Sequence, residues 1–204
     1  ILKLNNIAEE GINIFDTDRF HCSEEVTNPD AIIVRSFDMH NMDIPKKLQA
    51  VGRAGSGVNN IPIEKYTEQA IPVFNAPGAN SNAVKELVLA SILISARNIH
   101  TAIKYVESVK DSEDLKNDIE NGKKAYVGFE LPAKTLGVIG LGQIGVKVAN
   151  AAHDLGMNVV GYDPLITVDN AINLQPGVQN VDNLKELLNK SDIMTIHIPH
   201  KKET

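Results

Sequence analysis

Thr135-Leu136-Gly137-Val138-Ile139-Gly140-Leu141-Gly142-Gln143-Ile144-Gly145 decides the reading of this chain. Its first five residues form an apolar run of the kind that makes a buried parallel strand. Three glycines follow in the order G-x-G-x-x-G, and Val146 to Leu155 then shows helical spacing. A second apolar run, Met157 to Tyr162, ends at Asp163, eighteen residues beyond Gly145. Strand, glycine turn, helix, strand and acid in that order form the dinucleotide-binding fingerprint. Gly140 permits the tight turn, Gly142 lets the backbone approach a pyrophosphate, and Gly145 lets helix and strand pack closely. Free N–H groups and the positive dipole at the helix start favour phosphate. Asp163 is placed to accept hydrogen bonds from the adenosine ribose and to repel a 2′-phosphate, so NAD(H) is expected over NADP(H).

Composition narrows the rest. The 204 residues are 43% hydrophobic with net charge −6, which is ordinary globular composition with room for one large or two small domains. An acidic balance argues against nucleic acid, whose binders need a basic face. The single cysteine, Cys22, excludes an internal disulfide, so a reducing cytoplasm is the simplest location. Six histidines are scattered without zinc spacing, so no metal site is expected. The longest uncharged apolar run, Leu87 to Ala96, is too short to cross a bilayer, and no membrane partner is expected. Leu2-Lys3-Leu4 reads as the tail of a strand. Ile193 to Ile198 reads as an apolar strand running into a polar tail, Lys201 to Thr204. A full sheet of this kind needs more strands after Asp163, so the chain is expected to belong to a longer protein.

The N-terminal part alternates short strands and helices, which predicts a parallel sheet. A helix is expected over Asn6 to Ile14, a strand over Ala31 to Val34, and another from Gln49 to Gly52. A helix opened by Pro62 and running to Gln69 follows, then a strand over Ile71 to Phe74. Ser81 to Arg97 predicts a helix that is apolar on nearly every face and hence buried, between domains or between subunits. The polar segment Val109 to Lys124 reads as a solvated helix or loop. The boundary is placed near Pro77-Gly78, giving domains over 1–77 and 78–204. Ligands in such sheets bind outside the carboxyl ends of the strands. Arg35-Ser36, Arg53 to Gly57, Asn75 to Asn80 and Asp163-Pro164 all fall there. Arg35 has a surface-cation alternative, Arg53 a partnership with a nearby carboxylate, and Asn80 and Ser81 a purely helix-capping one.

Several distant motifs co-occur: Gly52-Arg53-Ala54-Gly55-Ser56-Gly57-Val58, Asn75-Ala76-Pro77, Leu136 to Gly145, Gly161-Tyr162-Asp163-Pro164 and His197-Ile198-Pro199. In this order they resemble the NAD-dependent D-2-hydroxyacid dehydrogenases, and the likeness spans essentially the whole chain. The resemblance implies a flavodoxin-like substrate-binding domain followed by a Rossmann-type doubly wound NAD-binding domain, incomplete at its C-terminus. It implies a homodimer or higher homo-oligomer, and hydride transfer between a small 2-hydroxy acid and NAD. The favoured substrate is 3-phosphoglycerate, giving 3-phosphohydroxypyruvate. Glycerate, glyoxylate or lactate are alternatives, as is an NAD(H)-sensing corepressor-like role on the same fold. Arg35, Ser36, Arg53, Gly55, Gly57 and Asn80 would hold the substrate's anionic groups. Ser56 would touch the nicotinamide side, and Gln143 and Ile144 would underlie the pyrophosphate with Gly140, Gly142 and Gly145. Tyr162, Asp163 and Pro164 would meet the ribose, and His197, Ile198 and Pro199 the adenosine. The family's catalytic Arg, Glu and His would come after Thr204, so none is expected within this chain, and the fragment alone is expected to be inactive. Two departures from the family's pattern are Asn59, commonly Asp, and Ala133, commonly Gly. The second is expected to be minor.

Overall fold

Residues 1–199 are described in a computed structural model; the tail expected over Lys201 to Thr204 lies outside them. The chain divides into two compact units, one over Ile1–Asn80 and one beginning at Ser81.

The first unit is a parallel four-stranded sheet in chain order, β1 (Leu2–Leu4), β2 (Ala31–Val34), β3 (Ala50–Arg53) and β4 (Val73–Phe74). Helix α1 (Glu9–Ile12) follows β1, and α2 (Ile63–Thr67) precedes β4. On the free side of β1, Lys3 donates to the Ser23 carbonyl at 2.8 Å and Ser23 to the Ile1 carbonyl at 3.1 Å. Ser23 therefore stands where a second strand would lie. Counting that bridge, the spatial order by chain position is 2-1-3-4-5, the flavodoxin-like arrangement. Ile32, Val34 and Val51 are buried with Met39, Ile61 and Tyr66 in one apolar cluster. The helix expected over Asn6 to Ile14 shrinks to Glu9–Ile12. It has no side-chain cap, and Gly11 stands in its middle, a residue that costs about 1 kcal/mol in a helix.

In the second unit three helices come first: α3 (Ser81–Ala96), α4 (Ile99–Val109) and α5 (Leu115–Gly122), with a 3-10 turn over Lys123–Tyr126. Asn98, in the left-handed region at φ 51°, separates α3 from α4, which meet at a 58° bend. Among the described residues no single helix is long and apolar enough to cross a membrane. The sheet that follows contains β5 (Thr135–Ile139), β6 (Asn158–Tyr162), β7 (Val178–Asn180) and β8 (Ile193–Ile196). They are connected by α6 (Gln143–Asp154), α7 (Val168–Ile172) and α8 (Leu184–Lys190). Its order, β7-β6-β5-β8, all parallel, is the 3-2-1-4 half of a Rossmann sheet.

Leu136 and Val138 of β5 are fully buried against Val148, Ala149 and Ala152 of α6. From α3 only a stripe joins this cluster: Ile92 and Ala96, with Val88 packed alongside. The burial expected on all faces of α3 is thus not met within the chain, where Leu87 is 68% exposed. A round helix lying on one layer has a single covered side. The strand expected over Ile193 to Ile198 ends at Ile196 and lies at the sheet edge, with Met194 and Ile196 exposed.

Candidate functional site

The glycine loop is built as its spacing predicts. Gly140 sits at φ 87°, and a Cβ there would come within 2.7 Å of the His197 carbonyl. A Cβ on Gly145 would collide with the Gly140 carbonyl, so the helix can approach the turn only without a side chain. Gly142 is different: nothing lies within 4 Å of its absent Cβ. That open position is the N-cap of α6, which starts at Gln143, three residues earlier than its apolar spacing begins. Unpaired N–H groups of the first helical turn and the helix dipole face an opening that a side chain would fill, and this suits a pyrophosphate.

Asp163 stands at the end of β6, half-buried. One carboxylate oxygen accepts the Leu141 N–H at 2.9 Å and the other accepts the Leu165 N–H at 2.9 Å. Each oxygen keeps a second lone pair for a further donor such as a ribose hydroxyl. A cavity of about 610 Å³ opens here, lined by Gly140, Gly142, Tyr162, Asp163, Pro164, His197, Ile198 and Pro199. All eight were expected from sequence. Ile139, Leu165, Asn170 and Leu184 complete the wall and were not. Their walls are mainly apolar, as an adenine needs. Leu184 is the first residue of α8, which Asn183 caps by accepting the Glu186 N–H at 2.9 Å. The Asn-x-x-Glu spacing was the available signal for that position.

Four residues expected to bind the cofactor lie off this wall, Ser56 in the first unit and three in the second. Gly145 is buried beneath the turn, and Ile144 packs on the core. Gln143 is exposed, with its amide donating to the Asn170 side chain at 3.2 Å. His197 is half-buried, with its Nε2 2.9 Å from the Thr195 hydroxyl, and burial lowers its pKa from the ordinary 6.5. Among the described residues no cluster of metal-ligating side chains occurs.

In the first unit the strand ends converge on a second polar cluster. Arg35 and Ser36 continue from β2 and are exposed. Arg53 closes β3, and its Nε donates to the Arg35 carbonyl at 3.1 Å. Its guanidinium packs where a side chain at Gly55 would be, and Gly57 lies beside it. Ala76 donates to the Gly55 carbonyl at 3.0 Å and Asn75 to the Ser56 carbonyl at 2.7 Å, tying the end of β4 to the same loop. Ser56 and Asn80 are exposed, Asn80 closing the unit. Among the described residues neither Arg35 nor Arg53 has a carboxylate partner, so both cations are available to an anion. Asn5 and Asn60, which sequence reasoning passed over, hold this cluster. Asn60 donates to the Phe37 carbonyl at 2.8 Å and to that of Arg35 at 3.4 Å.

Comparison with known proteins agrees with this construction. Residues 6–120 match the description "D-isomer specific 2-hydroxyacid dehydrogenase, catalytic domain". Residues 89–204 match "D-isomer specific 2-hydroxyacid dehydrogenase, NAD binding domain". D-3-phosphoglycerate dehydrogenase of Methanocaldococcus jannaschii is 41% identical over 86% of this chain and 32% of its own length. The chain thus spans about a third of the length of the curated relatives it matches. The NAD+-bound 3-phosphoglycerate dehydrogenase of Entamoeba histolytica superposes with a TM-score of 0.68 at 26% identity, over all of this chain and 64% of that one. D-lactate dehydrogenase of Aquifex aeolicus, solved with NAD and lactic acid, shares the fold with a TM-score of 0.74 at 23% identity, over 99% of this chain and 61% of that one. With both domain descriptions matched, the chain belongs to the D-isomer specific 2-hydroxyacid dehydrogenases, and NAD is the cofactor of its second unit.

Proposed function

We propose that this chain is the substrate-anchoring and NAD-binding part of a dehydrogenase that oxidises 3-phosphoglycerate to 3-phosphohydroxypyruvate, the entry step of the phosphorylated route to serine. The observation that carries the reading is Arg53, a cation with no carboxylate partner among the described residues, packed on the glycine loop beside Arg35. A substrate with two anionic ends needs two cationic or N–H-rich contacts. The relatives named D-3-phosphoglycerate dehydrogenase support that choice.

Bound in the second unit, NAD would supply the hydride acceptor, C4 of its nicotinamide, for the hydrogen on C2 of the hydroxy acid. Arg35, Ser36 and the loop over Gly55 to Gly57, through the N–H groups of Ser56 and Gly57, hold the carboxylate end, with Asn80 beside them, and Arg53 takes the phosphate. Ser56 touches the nicotinamide side. Gly142 and the start of α6 receive the pyrophosphate, Asp163 the ribose, and His197 to Pro199 the adenosine. The base that removes the hydroxyl proton is not assigned within this chain. The protein works in the cytoplasm as a homodimer, through the apolar side of α3 and α4, where Leu87, Ile103 and Val106 are exposed.

The test is NADH formation by the full-length protein with 3-phosphoglycerate, D-glycerate and D-lactate at equal concentration. The proposal requires kcat/KM to be highest for 3-phosphoglycerate. Preference for D-glycerate or D-lactate refutes the substrate assignment, and no turnover of any of the three refutes the enzymatic one.

A further inference from the structure

We propose that Asn5 is a positioning residue that turns the Ser36 hydroxyl into a hydrogen-bond donor for the substrate's anionic group. The inference rests on the reading of Arg35 and Ser36 as anion contacts. Asn5 follows β1 and sits at φ 51°, a left-handed conformation that asparagine tolerates better than most residues. From there its side chain spans the end of β2. Its Oδ1 faces two backbone N–H groups, Arg35 at 3.4 Å and Ser36 at 3.2 Å. Its Nδ2 lies 2.7 Å from Ser36 Oγ.

The amide orientation follows from the neighbours. Backbone N–H groups only donate, so the atom facing them is the carbonyl oxygen. The other atom is then the NH₂ group, which only donates, so Ser36 Oγ must accept. An oxygen that accepts there has to send its own proton elsewhere. Ser36 is exposed, and among the described residues no acceptor takes that proton. The hydroxyl is left as an outward donor next to the exposed Arg35. Asn60 and Arg53 hold the Arg35 carbonyl from the other side. The strand end thus offers two donors, a guanidinium and an O–H aimed away from Asn5. An anion accepts from both of these donors.

Asn5→Asp is the discriminating change. Aspartate tolerates the same backbone and keeps an oxygen for the two N–H groups. Its second oxygen replaces NH₂, captures the Ser36 proton and removes the donor. In the full-length enzyme with saturating NAD, Ser36→Ala is expected to raise KM for 3-phosphoglycerate about tenfold, the cost of one hydrogen bond to a charged group. Asn5→Asp should raise it by a similar factor. In a Ser36→Ala background it should add less than about threefold, because it acts through a hydroxyl already gone. An equal factor in both backgrounds overturns the inference, since added charge or a distorted fold does not depend on Ser36. A normal KM in Asn5→Asp beside a raised KM in Ser36→Ala also overturns it, while leaving the anion site standing. If Arg35→Ala and Ser36→Ala both leave KM unchanged, the anion site itself is refuted and the inference falls with it. Should Asn5→Asp lose its native circular dichroism, Asn5→Gly keeps the left-handed backbone and frees the hydroxyl. Its KM increase should vanish in the Ser36→Ala background, and persistence there overturns the proposal.

Discussion

The Asp163 carboxylate accepts the Leu141 N–H at 2.9 Å, so the acid at the end of β6 is hydrogen-bonded to the glycine turn at the end of β5. One side chain therefore both shapes the loop and borders the cavity beside it. Replacing Asp163 should do two separable things. Asp163→Ala is expected to cost about 1.5–3 kcal/mol of stability, as for a lost charge-assisted hydrogen bond. It should also weaken NADH binding and narrow the preference over NADPH. Fluorescence titration with both reduced cofactors, alongside urea unfolding, reads both. Equal or tighter NADPH binding by the unmodified protein would contradict the role given to the carboxylate.

Arg53 offers a cleaner separation because its two contacts use different atoms. Nε donates to the Arg35 carbonyl, and the terminal Nη1 lies over Gly55. Arg53→Ala should lower kcat/KM for 3-phosphoglycerate about ten- to hundredfold and change that for glycerate little. Arg53→Lys keeps a charge without the Nε contact, and should recover part of the loss. An equal fall for both substrates would assign Arg53 to holding the strand end.

Ala133 sits at φ 67°, exposed, in the turn before β5. The sequence reading took its departure from glycine as minor, and the backbone corrects that. An L-residue there carries about 1–2 kcal/mol of strain, while glycine adds about 0.5–1 kcal/mol of unfolded-state entropy. Ala133→Gly should therefore stabilise by about 0.5–1 kcal/mol, raising Tm by about 1–4 °C. Scanning calorimetry of both forms decides it, and a lowered Tm would refute the strain.

His197 links stability to pH. Burial lowers its pKa in the folded chain, so the unfolded chain takes up the proton first as pH falls through 6.5. Its contribution is fully present above 6.5 and is lost as pH drops from there through the lower folded-state value. His197→Gln should flatten that part of the profile. Urea unfolding from about pH 8 to about pH 5.5 is the measurement. An unchanged slope in the variant would mean that another group titrates.

What was legible in the sequence was periodicity and glycine spacing. Ala31–Val34 and Thr135–Ile139 were read to the residue, because buried parallel strands are continuous apolar runs bounded by polar turns. The start of α6 was placed late, since Gln143-Ile144-Gly145 lies inside the turn motif and carries no apolar period. Strand β7, three residues long with one apolar side chain, gave no signal to find. The cavity showed the same limit. Eight wall residues belonged to motifs, while Leu165 and Asn170 reach the wall from the crossover after β6. Asn5 and Asn60 act through side-chain bonds to residues 23 to 31 positions away, which no local pattern encodes.

Among the described residues each of the two sheets takes its strands from one continuous stretch, the first of them ending at Phe74. During synthesis, the N-terminal sheet can close its ladders before β5 has left the ribosome. The alternative would be an emerging β5, with Val138 and Ile139, exposed to an unfinished neighbour that also seeks parallel partners. Sequential closure removes that competition, and with it a route by which two similar parallel sheets in one chain could exchange strands.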